Sequence, residues 1–234
     1  MNPSAPILKF EEVAIASNPL YESAICDISF ELSPGDLMLV LLDQEHLLLP
    51  LADAAQGLEA PMQGRITFFG KDWQRMRPGL AAKHRGRIGR IFSDGGWISN
   101  LDIDENITLA QRHHTRRPAS GITNEAADLA RQFGLPGLPL GTIAQLRRQD
   151  LQKAACVRAF LGEPRLILAE DPTRHVYADI IAPLVNTLFA ARKRGAAVLW
   201  ATSDPKVWND AGIKPTVRCK MTGSQMHLIE NAEG

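Results

Sequence analysis

Short apolar runs that end in polar residues most constrain the fold of this 234-residue chain. Residues 37–41, 166–169 and 197–202 are almost entirely apolar and do not alternate with polar residues. Strands of this kind are buried on both faces of a sheet. Amphipathic helical runs such as residues 180–194 separate them, and this alternation predicts an α/β sheet. Residues 93–152 are richer in helix and turn patterns and predict a helical insertion, with one helix at residues 123–133 that Asn124 would cap. The mostly apolar residues 47–55 predict a buried helix.

The composition excludes several classes of function. Lys and Arg number 26, as do Asp and Glu, so no net charge draws the chain to nucleic acid or acidic lipid. Cys26, Cys156 and Cys219 show no metal spacing and fit a reducing compartment. The chain shows no signal sequence and no apolar stretch long enough to span a bilayer. We therefore expect no metal site, no nucleic-acid partner and only indirect membrane contact.

The apolar run at residues 166–169 is followed by Glu170, Asp171, Pro172 and Thr173. This segment resembles the Walker B motif of ATP-binding cassette (ABC) ATPases. Five further segments resemble the family in the family's order: residues 27–36, 57–66, 88–92, 154–164 and 201–205. The resemblance spans about residues 8–230.

The resemblance implies one ABC-type domain over residues 1–234. Its fold class would be α/β, a P-loop NTPase-like ABC ATPase core with an antiparallel β subdomain and a helical subdomain. The core lobe would comprise about residues 1–92 and 153–234, and the helical subdomain about residues 93–152.

The phosphate-binding loop of the family is not visible in this sequence. A glycine-rich loop with a lysine would wrap the phosphates, whereas residues 42–50 contain neither residue type. Residues with a Cβ resist the backbone angles of such a loop, and Asp43 and Glu45 would repel a triphosphate. The family's loop positions fall on Leu42, Glu45, Leu47, Leu48 and Leu49. We interpret these residues as an apolar plug that fills the nucleotide site, and we expect no cofactor. ATP and Mg²⁺ would bind only under the alternative that the chain is an ATPase with divergent motifs.

The other family motifs are altered as well. The Q-loop glutamine position falls on Ser93, the H-loop histidine position on Ser203, and the D-loop on residues 174–177. Glu170 and Asp171 invert the usual Asp-Glu order and are interpreted as vestigial. The signature position falls on Leu146, Arg147, Arg148, Gln149 and Asp150. Because phosphoryl transfer depends on positioning and charge stabilisation, these losses predict a pseudo-ATPase with no catalytic residues.

Two basic clusters have a structural and a functional interpretation. Arg147 or Arg148 is hypothesised to reach a phosphate or acidic group of a partner, the alternative being a surface salt bridge. The cluster Lys83, His84, Arg85, Arg87 and Arg90 favours a solvated face over contact with lipid headgroups or an acidic loop.

The best-preserved stretch is residues 92–109. It resembles the family segment that grips the coupling helix of the membrane subunit, and its Gly-Gly-aromatic form is similar to the ATPases of MCE-type lipid transporters. The resemblance implies permease docking through Gly95, Gly96, Trp97, Ile98 and Leu101.

The sequence thus predicts a non-catalytic ABC-type subunit of a membrane transport complex. Its partners would be a transmembrane permease and a second ABC-type subunit, in a homodimer or a heterodimer. It would lie in the cytoplasm, peripheral on the inner face of the cell membrane. Two alternatives stay open: an ABC ATPase with divergent motifs that energises transport, and a soluble regulatory protein that uses the altered pocket.

Overall fold

The computed structural model describes residues 5–19, 21, 23–43, 49–174 and 176–229. The strands are β1 (Leu8–Ile15), β2 (Ile25–Leu32), β3 (Leu37–Leu41), β4 (Gln63–Phe68), β5 (Lys71–Asp72), β6 (Ile88–Ile91), β7 (Leu166–Glu170), β8 (Ala197–Thr202), β9 (Val217–Thr222) and β10 (Gln225–Ile229). The helices are α1 (Leu51–Ala55), α2 (Pro78–Arg85), α3 (Ile103–His114), α4 (Ala119–Gln132), α5 (Arg148–Phe160), α6 (Tyr177–Lys193) and α7 (Pro205–Asn209).

The larger sheet has the strand order β10-β9-β3-β8-β7-β6 and contains the apolar strands. The pairs β3–β8, β3–β9, β7–β8 and β6–β7 are parallel, and β10 pairs with β9 antiparallel. Leu39 of β3 lies opposite Trp200 of β8, and both are fully buried. Burial on both faces explains why these strands lack alternation, as the sequence predicts.

The smaller sheet is antiparallel, with the order β2-β1-β4-β5. Phe10 of β1 lies opposite Phe30 of β2, and their rings stack with centroids 4.6 Å apart. Its buried side chains join those of β3, α1 and β8 in one apolar cluster. The two sheets together confirm the predicted mixed α/β class.

Three helices, α3, α4 and α5, surround a second apolar cluster in which the rings of Phe133 and Phe160 stack at 5.9 Å. A capping box formed by Asp102 and Glu105 begins α3. The predicted helix at residues 123–133 begins earlier, at Ala119. Pro118 precedes the helix as its N-cap in an extended conformation, and the Pro118 carbonyl accepts a hydrogen bond from the Ile122 amide.

Some predicted boundaries lie elsewhere or stay untested. The helix expected over residues 47–55 is described only as α1, since residues 44–48 lie outside the described ranges. The subdomain boundary near residue 152 stays a prediction, and α5 runs across it. No helix in the described ranges has the length and apolar character needed to cross a membrane.

Candidate functional site

The carboxylate of Glu170, at the end of β7, is held by Arg90 from the neighbouring strand β6. Arg90 Nε donates to Glu170 Oε2 at 2.8 Å, and Nη2 donates to Oε1 at 3.1 Å. The Arg90 side chain is only 9% exposed, and that of Glu170 is 22% exposed. Such bidentate, partly desolvated pairs are the stronger ion pairs in proteins. The carboxylate of Glu170 is therefore already paired within the chain, and burial raises the pKa of Glu170 in spite of the Arg90 hydrogen bonds.

A second acid completes this ionic cluster. Arg90 Nη1 donates to Asp53 of α1, whose other carboxylate oxygen accepts a hydrogen bond from the Tyr21 hydroxyl. Burial by itself disfavours the Arg90 cation, but the hydrogen bonds to Glu170 and Asp53 outweigh it and raise the pKa of Arg90. Burial and the Asp53 hydrogen bond likewise raise the pKa of Tyr21. We call Tyr21, Asp53, Arg90 and Glu170 the arginine cluster.

Asp171, the second acid after β7, is turned towards its own scaffold. Its Oδ1 accepts a hydrogen bond from the Ser203 amide at 2.8 Å, and its Oδ2 accepts one from the Ser203 hydroxyl at 3.0 Å. Asp171 is 7% exposed and has a φ of 41°, which is unusual for a residue with a Cβ. The serine at the predicted H-loop position thus binds both oxygens of the Asp171 carboxylate.

An apolar pocket lies beside these acids. Its cavity measures about 30 Å³, and its polar lining residues are Ser93, Glu170 and Asp171. Leu42 and Leu49, at the two described ends of the loop position, are buried and pack in the core. The other three loop positions, Glu45, Leu47 and Leu48, lie outside the described residues. The leucine plug therefore stays a prediction there.

The signature positions lie at the start of α5, where Leu146 and Arg147 precede its first residue, Arg148. Leu146 is half-buried against the core, while Arg147, Arg148 and Gln149 are exposed. Asp150 lies 3.9 Å from Lys153 Nζ. Within the described ranges neither arginine forms an ion pair. Their proposed contact with a partner stays a prediction.

The predicted docking segment, residues 93–102 and called the docking segment below, is anchored by one buried asparagine. Asn106 Oδ1 accepts the Ile98 amide at 2.9 Å, and its Nδ2 donates to the carbonyls of Ile98, Leu101 and Asp102 at 3.1 Å each. Gly95 is buried, Gly96, Trp97 and Leu101 are half-buried, and Ile98 is 43% exposed. The segment is thus fixed to α3 while it presents an apolar side chain outward.

Sequence reasoning missed the arginine cluster. Arg90 and His84 were expected on a solvated face, but the Arg90 side chain is largely buried against Glu170, which lines the pocket, and His84 is buried beside the ring of Phe68. A signal for Arg90 was present, since it is a charged residue between Gly89 and Ile91 in a short apolar strand. A cation in such a strand needs a partner, and the acids of β7 supply one.

Comparison with known proteins identifies relatives, although no family model matches the chain. The glutamate/aspartate import ATP-binding protein GltL of Escherichia coli K12 is 27% identical over 180 residues, which are 77% of this chain and 74% of the relative. The dimeric structure of a bacterial ABC transporter cassette covers 96% of this chain and 99% of its own, with a TM-score of 0.80 and 17% identity. An ATP-binding subunit of an ABC transporter covers 96% of this chain and 90% of its own, with a TM-score of 0.77 and 17% identity.

These relatives correct one expectation. The sequence was expected to take no cofactor, yet the Escherichia coli relative is an ATP-binding protein. A dimeric cassette in a post-hydrolysis state is bound to ADP and phosphate. Its TM-score to this chain is 0.76 at 16% identity, and the match covers 96% of this chain and 99% of that cassette. The expectation of no cofactor is therefore wrong, because it treated an altered loop as proof that nucleotide is not bound.

The fold and the relatives agree. The solved cassettes match almost the whole chain, including both sheets and the helical part. The sequence relative covers most of the chain and is an ATP-binding component of an importer. This chain is a homologue of ABC transporter ATP-binding subunits and has the fold of their cassettes.

Proposed function

We propose that this chain is a cassette subunit of an ABC-type transport complex that contributes to assembly and nucleotide-dependent dimer geometry but not to ATP turnover. The coarser function, an ATP-binding component of a transport system, follows from homology. Nucleotide is accordingly the ligand to expect. The proposed loss of hydrolysis rests on the residues of this chain and not on homology.

One observation carries this proposal: both acids at the end of β7, Glu170 and Asp171, are engaged within the chain. Glu170 is paired with Arg90, and Asp171 is bonded twice by Ser203. In P-loop NTPases an acid at this motif helps to hold Mg²⁺, and hydrolysis also needs a group that positions water. A carboxylate held at both oxygens by its own scaffold is poorly placed for either role.

The described residues do not fit a hydrolytic magnesium site. A hydroxyl from the phosphate loop normally holds the ion, and its position is occupied here by the buried side chain of Leu49. Ser93 replaces the Q-loop glutamine, and Ser203 replaces the H-loop histidine. Residues 44–48, which would face the phosphates, lie outside the described ranges. Support for lost turnover therefore comes from the acid side of the pocket.

A second candidate is a cassette that hydrolyses ATP with rearranged residues. Its support is the relatives, since one is an ATP-binding protein and another holds ADP and phosphate. It requires Arg90 to release Glu170, or Ser203 to release Asp171, when nucleotide binds. The two candidates therefore differ in whether substitution of Asp171 changes the rate of hydrolysis.

The proposed partners are a transmembrane permease and a second ABC-type subunit. The dimeric state of two matching cassettes supports pairing with a second subunit, either identical or different. The preserved docking segment supports a permease and hence a peripheral position on the cytoplasmic face of the membrane. Lipid as the transported class rests on the Gly-Gly-Trp form alone and stays a prediction, since the Escherichia coli relative imports amino acids.

The test is purification of the tagged chain from detergent-solubilised membranes, followed by ATPase assays on the complex. We expect a permease and a second cassette to co-purify. Asp171→Asn should change hydrolysis by the complex less than about twofold. Asp179→Asn, which changes an exposed acid in α6, is the matched control. A loss of about a hundredfold with Asp171→Asn alone would establish the hydrolysing candidate instead.

A further inference from the structure

The docking segment is also fixed from α5, by Arg158. Arg158 Nη1 donates to the Gly96 carbonyl at 2.8 Å and Nη2 to the Gly95 carbonyl at 2.5 Å. Its guanidinium carbon lies 4.4 Å from the centroid of the Trp97 ring. Burial lowers the pKa of Arg158 to about 10. Within the described ranges no carboxylate hydrogen-bonds to Arg158. The nearby charge of Asp94, the carbonyl dipoles and the aromatic faces stabilise this cation.

The shape of the turn is built around two aromatic rings. Gly95 and Gly96 have φ values of +87° and +53°, where residues with a Cβ are strained. A Cβ on Gly95 would lie 2.5 Å from Trp97 Nε1, and one on Gly96 would lie 2.7 Å from the Phe92 ring. Both glycines are therefore needed for the two rings to close on the turn.

Phe92 connects this turn to the arginine cluster. The guanidinium carbon of Arg90 lies 4.3 Å from the centroid of the Phe92 ring, and that of Arg158 lies 5.2 Å from it. Each cation is attracted to the same ring. A continuous set of contacts thus runs from Glu170 through Arg90, Phe92 and Arg158 to the turn.

We propose that Arg158 is a positioning residue for the docking segment, and that Phe92 relays the state of the Arg90–Glu170 pair to it. The use of this turn for docking rests on the proposed function, whereas the contacts belong to the isolated chain. If Arg90 moves, the ring that it shares with Arg158 must repack. The conformation offered to a partner then depends on the ion pair in the pocket wall.

Hydrogen exchange of the turn amides in the isolated chain tests the first part. The amides of Gly95, Gly96 and Ile98 are hydrogen-bonded to the Phe92 carbonyl, Asp94 Oδ1 and Asn106 Oδ1. Arg158→Lys keeps the charge but loses the planar fork, so their exchange should rise about tenfold. Amides of β3 serve as the internal reference for global unfolding.

A chemically matched control exists in the same chain. Arg85 donates to the carbonyls of Gln56 at 3.0 Å and Gly57 at 2.7 Å, and its guanidinium carbon lies 5.6 Å from the Trp73 ring centroid. Arg85→Lys should raise exchange around residues 57–59 and leave the docking turn unchanged. Equal effects of both variants on the turn would overturn the positioning role.

A double-mutant cycle tests the relay. Glu170→Gln removes one of the two charge partners of Arg90 and should raise exchange of the turn amides about threefold. In the background of Phe92→Leu, or Phe92→Met if the leucine variant does not fold, the same change should have no further effect. A Glu170→Gln effect of the same size in both backgrounds, or no effect in the native background, would overturn the relay. Neither readout involves hydrolysis or a permease, so the proposed function can fail while the relay stands, or the reverse.

Discussion

The pocket wall and the docking segment each centre on an arginine, and they use it differently. Arg90 binds two carboxylates, whereas Arg158 binds two backbone carbonyls and an indole face. The first arrangement neutralises groups that would perform chemistry. The second arrangement, around Arg158, fixes the shape of the turn at residues 95–97.

Under the proposed function, the difference teaches that catalytic and docking roles can be physically separate within one cassette. The ion pair with Arg90 engages the Glu170 carboxylate, which binding of a metal ion or activation of a water molecule would require to be free. Hydrogen bonds from Arg158 and Asn106 hold residues 93–102 against α5 and α3. Under the proposed function, a subunit with these contacts loses turnover and keeps its place in a complex.

Arg90→Met is expected to have the largest effect, because it removes the cation from the arginine cluster beside the pocket. Glu170 and Asp53 would be left as neighbouring acids without their shared cation. We expect the free energy of unfolding to fall by about 3 kcal/mol, measured by urea denaturation. Arg65→Met, which breaks the exposed pair with Glu11, is the control and should barely move the urea midpoint. Equal effects would show that the cluster is not energetically special.

Asn106→Ala disrupts the anchoring of the docking segment to α3. The change removes all four hydrogen bonds between this side chain and residues 98–102. Since it leaves polar backbone groups unpaired, unfolding should become easier by about 2 kcal/mol in the same assay. Asn124→Ala, at an exposed position of α4, is the matched control. A similar small change in both variants would contradict the anchoring role.

A smaller effect sharpens the account of Asp171. Ser203→Ala removes the hydroxyl bond to Asp171 Oδ2 but keeps the amide bond to Oδ1. The expected loss of stability is about 1 kcal/mol, measured by thermal or urea unfolding. Ser99→Ala, at an exposed site, should leave stability unchanged. If both variants behave alike, Ser203 does not hold the acid.

Most of the fold could be predicted from the sequence because burial leaves a direct pattern. The uninterrupted apolar runs of β3, β7 and β8 indicated strands covered on both faces, and the order of segments indicated the cassette. Helix ends were less predictable. The start of α4 depends on Pro118 rather than on the polar Asn124, which lies within the helix.

The site was less predictable because its key contacts join residues far apart in sequence. Arg90 meets Asp53 and Glu170 only once β6, α1 and β7 are assembled, and Tyr21 comes from a loop after β1. The motif positions Ser93 and Ser203 were identified from the resemblance alone. The expectation of no cofactor failed for a different reason, since it rested on residues 42–50 and not on the relatives.

Single-turnover hydrolysis by the purified chain tests the central claim most directly. Wild-type protein and Asp171→Asn would be mixed with labelled ATP and Mg²⁺, each at a concentration of chain above that of ATP. If the acids are engaged as described, both proteins should release phosphate at the same background rate. Release by the wild type about ten times faster than by Asp171→Asn would show that Asp171 is catalytic and would contradict the account.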